Sequence, residues 1–198
     1  MATVFYQGHG SLRITTTEGK VIYVDPYIGE GYDLPADLIL VSHQHGDHNQ
    51  IGKIASRNPG CETITETQAL KDGVHQTFDL GYVKVEAVEA GNKNHDPAQC
   101  VGFILTLSGG IQVYLSCDTS KTSQMASFAE RNIDYAFFCC DGVYNMDREE
   151  ASECAALVKA RHSIPYHMAP GELFDRERAE EFKAEGRIIM AAGEEIKL

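Results

Sequence analysis

The feature that most constrains this 198-residue chain is an apolar run, Leu38 to Val41, that passes directly into the heptad SHQHGDH at positions 42–48. The run reads as a short buried strand, which puts the heptad at a strand end, where folds display reactive groups. Three of the chain's eight histidines fall in that heptad. Neutral imidazoles buried without partners cost free energy, and protonated neighbours repel one another, so a divalent cation resolves the clustering. If His43 and His45 stay extended, residues two apart point the same way and both can reach one ion. Gly46 lets the chain turn sharply, which aims Asp47 and His48 at a neighbouring point. This geometry predicts two adjacent metal sites.

Around that strand end, the first half of the chain is rich in short β-branched or apolar runs broken by Gly, Pro, Asn and Asp: VFYQG, SLRITTT, KVIYVDPY, ETITE, GYVKVEAVEA, VGFILTL and IQVYLSCD. Hairpin turns are expected at Glu18–Gly19 and Gly109–Gly110. Helical spacing appears in NQIGKIASRN, in SKTSQMASFAERN, and after Asp147, where Glu150 completes a capping-box pattern and Ala151, Cys154, Ala155 and Val158 share a face. DRERAEEFKAEG is a further helical candidate, ending at Gly186 before the strand-like RIIM. With no linker, low-complexity segment or repeat of fixed period, the pattern predicts one α/β domain over residues 1–198, with helices outside a layered sheet core.

Charge narrows the partners. The formal net charge of -12, without any run of Lys or Arg, argues against nucleic acid and against an anionic membrane surface. Apolar runs are too short to cross a bilayer, and the start MATVFYQG lacks the pattern of a leader, so the chain reads as cytoplasmic. Six cysteines without a CxxC pair read as free thiols, with Cys139 and Cys140 packed in the run YAFFCC.

The heptad SHQHGDH resembles the His-x-His-x-Asp-His signature of the metallo-β-lactamase superfamily. The order of the remaining marks is similar too: an early GH before a hairpin, then VDPY, the signature, a later His, a strand ending in Asp, and a last His. The resemblance implies a four-layered αββα sandwich of two mixed, mostly antiparallel sheets with helices outside. It implies that His43, His45 and His95 hold one divalent ion, that Asp47, His48 and His167 hold another, and that Asp118 bridges the two. Zinc is the first expectation for both ions, with manganese or iron as alternatives. NHDPAQCVGFILTL departs from the Gly-His-Thr pattern of glyoxalase II-like members. Together with YQGHGSLRITTTEGKVIYVDPY and DGVYNMDREEASE, it is similar to the branch of ascorbate 6-phosphate lactonase and small metal-dependent hydrolases.

Several of these positions also stand on their own residues. Asp118 lies between an apolar strand and a helical pattern, and His167 follows the apolar run SIPY, so both belong to strand ends. His95 lies in a polar loop and rests mainly on the resemblance. His9, framed by glycines, is expected beside the pocket as an outer partner or substrate contact. Asp25 and Asp141 directly follow apolar strands, where each is either a turn residue or the acceptor of a ligating imidazole's outer N–H. Cys117 is expected on the opposite face from Asp118, and His75 and His162 are expected to be solvated.

Two divalent ions about 3.5–4 Å apart can share a water and bring its pKa toward neutrality, giving a bridging hydroxide as nucleophile. Asp47 and Asp118 are then the catalytic carboxylates. No GxSxG motif or catalytic thiol pattern competes with this reading. Two dications outweigh the pocket's carboxylates, so the expected substrate is a small anionic ester, lactone or phosphorylated sugar acid. The alternatives are a phosphodiesterase or nuclease of the same fold, or a non-enzymatic metal-binding protein. The partner expected is a small molecule, and a homo-oligomer is compatible with the sequence.

Overall fold

The computed structural model describes residues 1–198. In chain order the strands are β1 (Thr3–Gly8), β2 (Ser11–Thr15), β3 (Val21–Val24), β4 (Ala36–Val41), β5 (Arg57–Thr65), β6 (Leu70–Lys71), β7 (Val74–His75), β8 (Thr77–Asp79), β9 (Val83–Glu89), β10 (Val101–Leu107), β11 (Gln112–Leu115), β12 (Tyr135–Cys139), β13 (His162–Tyr166) and β14 (Glu195–Lys197). Three α-helices accompany them: α1 (Glu66–Ala69), α2 (Arg148–Val158) and α3 (Arg176–Glu181).

Two six-stranded mixed sheets form the body, in the orders β14-β1-β2-β3-β4-β5 and β13-β12-β11-β10-β9-β8, and β6 and β7 make a separate small hairpin. Each large sheet has an antiparallel part that ends in a parallel one. β3, β4 and β5 run parallel in the first sheet, and β11, β12 and β13 do so in the second. The carboxyl ends of parallel strands in open α/β sheets are where ligands bind. Here Asp25 directly follows β3, the histidine heptad follows β4, and His167 directly follows β13.

Alternation explains how the sheets stack. On β1, Val4 and Tyr6 face inward, and with Leu12, Ile14, Leu38 and Leu40 they meet Val85, Phe103, Leu105 and Phe137 of the other sheet in one shared core. β3 and β4 are buried on both faces, which is why VIYV and ADLILV are continuous rather than alternating. Their outer side packs Tyr23, Ile39 and Val41 against Tyr32 and Ile54. That outer layer is a loop and a single 3-10 turn, Ile51–Lys53, not the helix expected from NQIGKIASRN. The chain instead extends into β5, whose parallel pairing with β4 satisfies its backbone.

Helices are therefore few. Ser123–Glu130 is 3-10 rather than α, yet it buries Met125 and Phe128 as its spacing predicts. α2 is capped by Asp147, whose side chain accepts the Glu150 N–H at 2.8 Å, and it buries Ala151, Cys154, Ala155 and Val158. The box does not close, because the Glu150 carboxylate takes the Lys121 N–H instead, at 2.8 Å. α3 stops at Glu181, where the chain turns extended so that Phe182 can enter the core, and RIIM makes only one bridge, Ser163 to Arg187.

All six cysteines are free. Cys139 and Cys140 are both buried, since β12 has the shared core on one face and α2 on the other. His75 is half-buried on β7, and His162 stacks on Tyr135 at the start of β13. No helix is long and apolar enough to cross a membrane.

Candidate metal centre

β4 remains extended to Val41, after which the chain folds back on itself, the His48 N–H donating to the His45 carbonyl at 3.0 Å. This turn delivers the heptad to two places. The ligand atoms of His43, His45 and His95 lie within 4.8 Å of one another, as do those of His9, Asp47, His48 and His167. Asp118 stands between the groups. Its Oδ1 is 3.4 Å from both His48 Nε2 and His167 Nε2, and its Oδ2 is 3.2 Å from His95 Nε2. The structure thus brings together all seven positions expected to ligate. His43, His48, His95, Asp118 and His167 are buried, whereas His45 is exposed and the Asp47 side chain is 39% exposed, so these two form the open side.

The outer nitrogens of the buried imidazoles are committed elsewhere. Asp25 Oδ2 accepts from His48 Nδ1 at 3.0 Å and from the Ser42 hydroxyl at 2.7 Å. Having spent its proton on Asp25, Ser42 Oγ accepts from His43 Nδ1 at 3.0 Å. His95 Nδ1 donates to Asn92 Oδ1 at 3.1 Å, and His167 Nδ1 lies 3.4 Å from Asp141 Oδ2. The contacts of His48, His43 and His95 are hydrogen bonds that fix a tautomer and turn Nε2 inward, whereas His167 Nδ1 has only its longer ion-pair approach to Asp141.

The result is a buried space lined by acceptors. His43 Nε2, His48 Nε2, His167 Nε2 and Asp118 Oδ1 have no hydrogen-bond partner. Orphaned atoms of this kind cost free energy unless a cation satisfies them. Two donors each about 2.0–2.1 Å from one tetrahedral ion lie about 3.3–3.4 Å apart, which is the scale of the 3.2–3.4 Å separations around Asp118. An all-imidazole and carboxylate donor set suits zinc, manganese or iron. The residues therefore fit divalent metal.

Electrostatics agree. Burial pushes the His43 pKa down to about 3, with His48 beside it adding repulsion, so this imidazole is neutral and able to ligate. Burial alone would raise the Asp118 carboxyl, but mutual attraction with His167 and His48 holds it well below the ordinary carboxylate range and raises both imidazoles, a pull toward positive charge at the centre that a divalent ion would answer.

The backbone is strained where it presents these groups. His9, Asp25, Cys117 and His167 all have positive φ, an arrangement that costs about 1–3 kcal/mol per residue and concentrates at functional sites. At His9 the strain is held by three hydrogen bonds: its N–H donates to the Leu173 carbonyl, and its own carbonyl accepts from the Tyr6 hydroxyl and the His167 N–H. The imidazole is fully buried, with Nε2 3.3 Å from Asp47 Oδ2 and Nδ1 3.2 Å from the Glu172 carbonyl. A side chain at Gly10 would sit 3.0 Å from the His48 ring, which accounts for the second glycine of QGHGS. At Cys117 the positive φ takes the chain out of β11, so simple strand alternation no longer relates Cys117 to Asp118.

Asp25 and Asp141 each combine the two roles open to them. Asp141 Oδ1 accepts the Val143 and Tyr144 N–H groups at 2.7 Å, a turn contact, while Oδ2 faces His167. Ser42, Asn92 and Asn145 join the cluster beyond the residues expected from the sequence. Ser42 has a signal there, its position between the strand and His43, whereas the two asparagines have none.

A family model for the beta-lactamase superfamily domain matches residues 3–167. A UPF0173 metal-dependent hydrolase of Geobacillus sp. strain WCH70 is 31% identical over 192 residues, covering 83% of this chain and 84% of that one. A crystal structure from Parabacteroides distasonis, of a protein described as a metal-dependent hydrolase, superposes with a TM-score of 0.77 at 28% identity, over 98% of this chain and 94% of the other. Igni18, a metallo hydrolase of Ignicoccus hospitalis, shares the fold with a TM-score of 0.75 at 19% identity, over 98% and 97% of the two chains.

Proposed function

The chain belongs to the beta-lactamase superfamily, and from that membership we propose that it hydrolyses a small anionic ester, lactone or phosphorylated sugar acid with two divalent ions held by its histidine and aspartate cluster. The observation that carries this reading is the set of inward lone pairs on His43, His48 and His167 facing Asp118, all without partners.

His43, His45 and His95 would hold one ion and Asp47, His48 and His167 the other, with one oxygen of Asp118 turned to each group. Divalent ions bound there supply Lewis acidity and activate water near neutral pH, so no serine or cysteine nucleophile is required. The protein's own part is to fix the geometry. Asp25, Ser42 and Asn92 hold the outer nitrogens of His48, His43 and His95, Asp141 faces that of His167, and the buried walls exclude bulk water from all but the side of His45 and Asp47. Asp47 and Asp118 face the ions directly, while Asp25 and Asp141 stand one imidazole further out, so at the open face two dications would outweigh the two facing carboxylates and favour an anionic substrate although the chain as a whole is at -12.

A panel of lactones, carboxylic esters, sugar-acid phosphates and phosphodiesters, assayed with zinc, manganese and iron, tests the proposal. Turnover of an anionic lactone or ester that is lost in His45→Ala and Asp118→Ala supports it. Selective turnover of phosphodiesters favours the phosphodiesterase reading, and metal-loaded protein that turns over nothing in the panel overturns the assignment.

A further inference from the structure

Asp118 serves both groups of histidines only if its carboxylate plane keeps one oxygen on each side. Oδ1 has no hydrogen-bond donor. Oδ2 accepts from Asn145 Nδ2 at 2.9 Å, and apart from the facing imidazoles no other side-chain or backbone N–H donates to this carboxylate. The same amide nitrogen donates to Asp141 Oδ2 at 2.7 Å. Asn145 therefore joins the bridging carboxylate to the partner of His167.

The other end of the Asn145 amide continues the chain. Its Oδ1 accepts from Asn92 Nδ2 at 3.1 Å, and that Nδ2 also donates to the Tyr144 carbonyl at 3.1 Å. Asn92 Oδ1 then accepts from His95 Nδ1, from the His95 N–H at 3.1 Å and from the Asn94 N–H at 2.8 Å. Two backbone donors on Asn92 Oδ1 fix which way that amide faces, and two carboxylates on Asn145 Nδ2 fix the other. Turning either amide over would set N–H against N–H, and would set the oxygen of Asn145 against two carboxylates or that of Asn92 against two carbonyls.

We propose that Asn92 and Asn145 are a pair of positioning residues that tie His95 on one side to Asp118, Asp141 and His167 on the other, so that filling one half of the centre prepares the other half. The inference rests on the two-ion reading of the cluster. Asn145 would act on the ions through Asp118, to which its amide is bonded, rather than as a ligand. The pair has a counterpart on the opposite flank, where Asp25 and Ser42 link His48 to His43. Each half-site is thereby joined to the other at both flanks, once through a buried acid and once through two amides.

The test is stepwise zinc binding against a competing chelator, together with the visible spectrum of the cobalt-loaded protein, in Asn92→Ala, Asn145→Ala and the double variant. Asn94→Ala is the control, because the Asn94 side chain donates to the Tyr144 carbonyl at 2.8 Å on the same loop without touching the cluster. The expected result is a loss of about 10–100-fold in affinity for an ion in each single variant, an altered cobalt spectrum, and a double variant no worse than the single ones by more than a few-fold. Asn94→Ala should bind both ions normally, and every metal-free variant should remain folded with a single cooperative melt. Wild-type binding in Asn145→Ala, or equal damage from Asn94→Ala, overturns the role of the pair while leaving the two-ion reading in place. A wild-type protein that takes up only one ion overturns both.

Discussion

Asp25 Oδ2 and His48 Nδ1 are joined by a 3.0 Å hydrogen bond between side chains that are each 1% exposed. The carboxylate also takes the Ser42 N–H and hydroxyl, both at 2.7 Å, and through that hydroxyl it orients His43. Asp25→Asn replaces one acceptor oxygen by an N–H₂ that must confront either Ser42 or His48. The expected outcome is metal binding weaker by about 10–100-fold, with stability lowered by about 1–3 kcal/mol for the buried group left unsatisfied. Metal titration and urea unfolding measure the two separately. Unchanged metal affinity would show that His48 does not depend on Asp25.

Metal should also stabilise the fold, because the metal-free centre keeps unpartnered acceptors facing one another. An ion at a hundredfold excess over its Kd adds about 2.7 kcal/mol. For a domain of this size that amounts to roughly 5–10 °C in Tm. Thermal melts with zinc and after exhaustive chelation read this directly. A chelated protein that melts with the zinc-loaded one would mean that the cluster does not bind metal in solution.

His43, His45, Asp47 and His48 are legible in the sequence because strand and turn geometry within seven residues is enough to group them. His95 comes from the loop between β9 and β10, Asp118 from the turn after β11 and His167 from the end of β13, and short of the fold itself only the family resemblance joins them. Asn145 and Asn92 carry no signal, since their register depends on how the loops after β9 and β12 meet. The same limit explains the helices. Local spacing in NQIGKIASRN favours a helix, but parallel pairing of β5 with β4 is a long-range gain that no window of ten residues contains. His9 is expected near the pocket from its glycines, yet its 3.3 Å approach to Asp47 depends on the 167–173 loop clamping its backbone.

Gly29 offers a test of how tightly the loop after β3 is set on β1. It has a φ of +85°, and a Cβ there would lie 1.8 Å from the Gln7 carbonyl oxygen. Gly60 has a similar φ of +81° with nothing within 4 Å. Gly60→Ala should therefore cost only backbone strain, about 1 kcal/mol. Gly29→Ala should cost clearly more, because β1 or the loop beside Asp25 has to move. Equal urea midpoints for the two variants would contradict that packing.

Asp37 predicts part of the acid limb of stability, away from the metal centre. It lies on β4 at 5% exposure, accepting the Val21 N–H at 2.9 Å and the Lys20 ammonium at 3.0 Å. Burial opposes its charge, but the Val21 N–H and Lys20 outweigh that and hold the carboxyl below its ordinary value. Between that lowered value and the unfolded value near 3.9, the unfolded chain binds the proton and the folded one does not, so stability rises with pH across the window. The contribution is complete above about pH 5 and disappears as the pH falls through the folded pKa. Asp37→Asn should thus be less stable than wild type by about 1 kcal/mol at pH 7, Lys20 being partly solvated, and the gap should close as the pH is lowered from 4. Urea midpoints of both proteins from pH 7 to pH 3 decide it, and a gap that stays constant over that range would mean the Asp37 charge does not stabilise the fold.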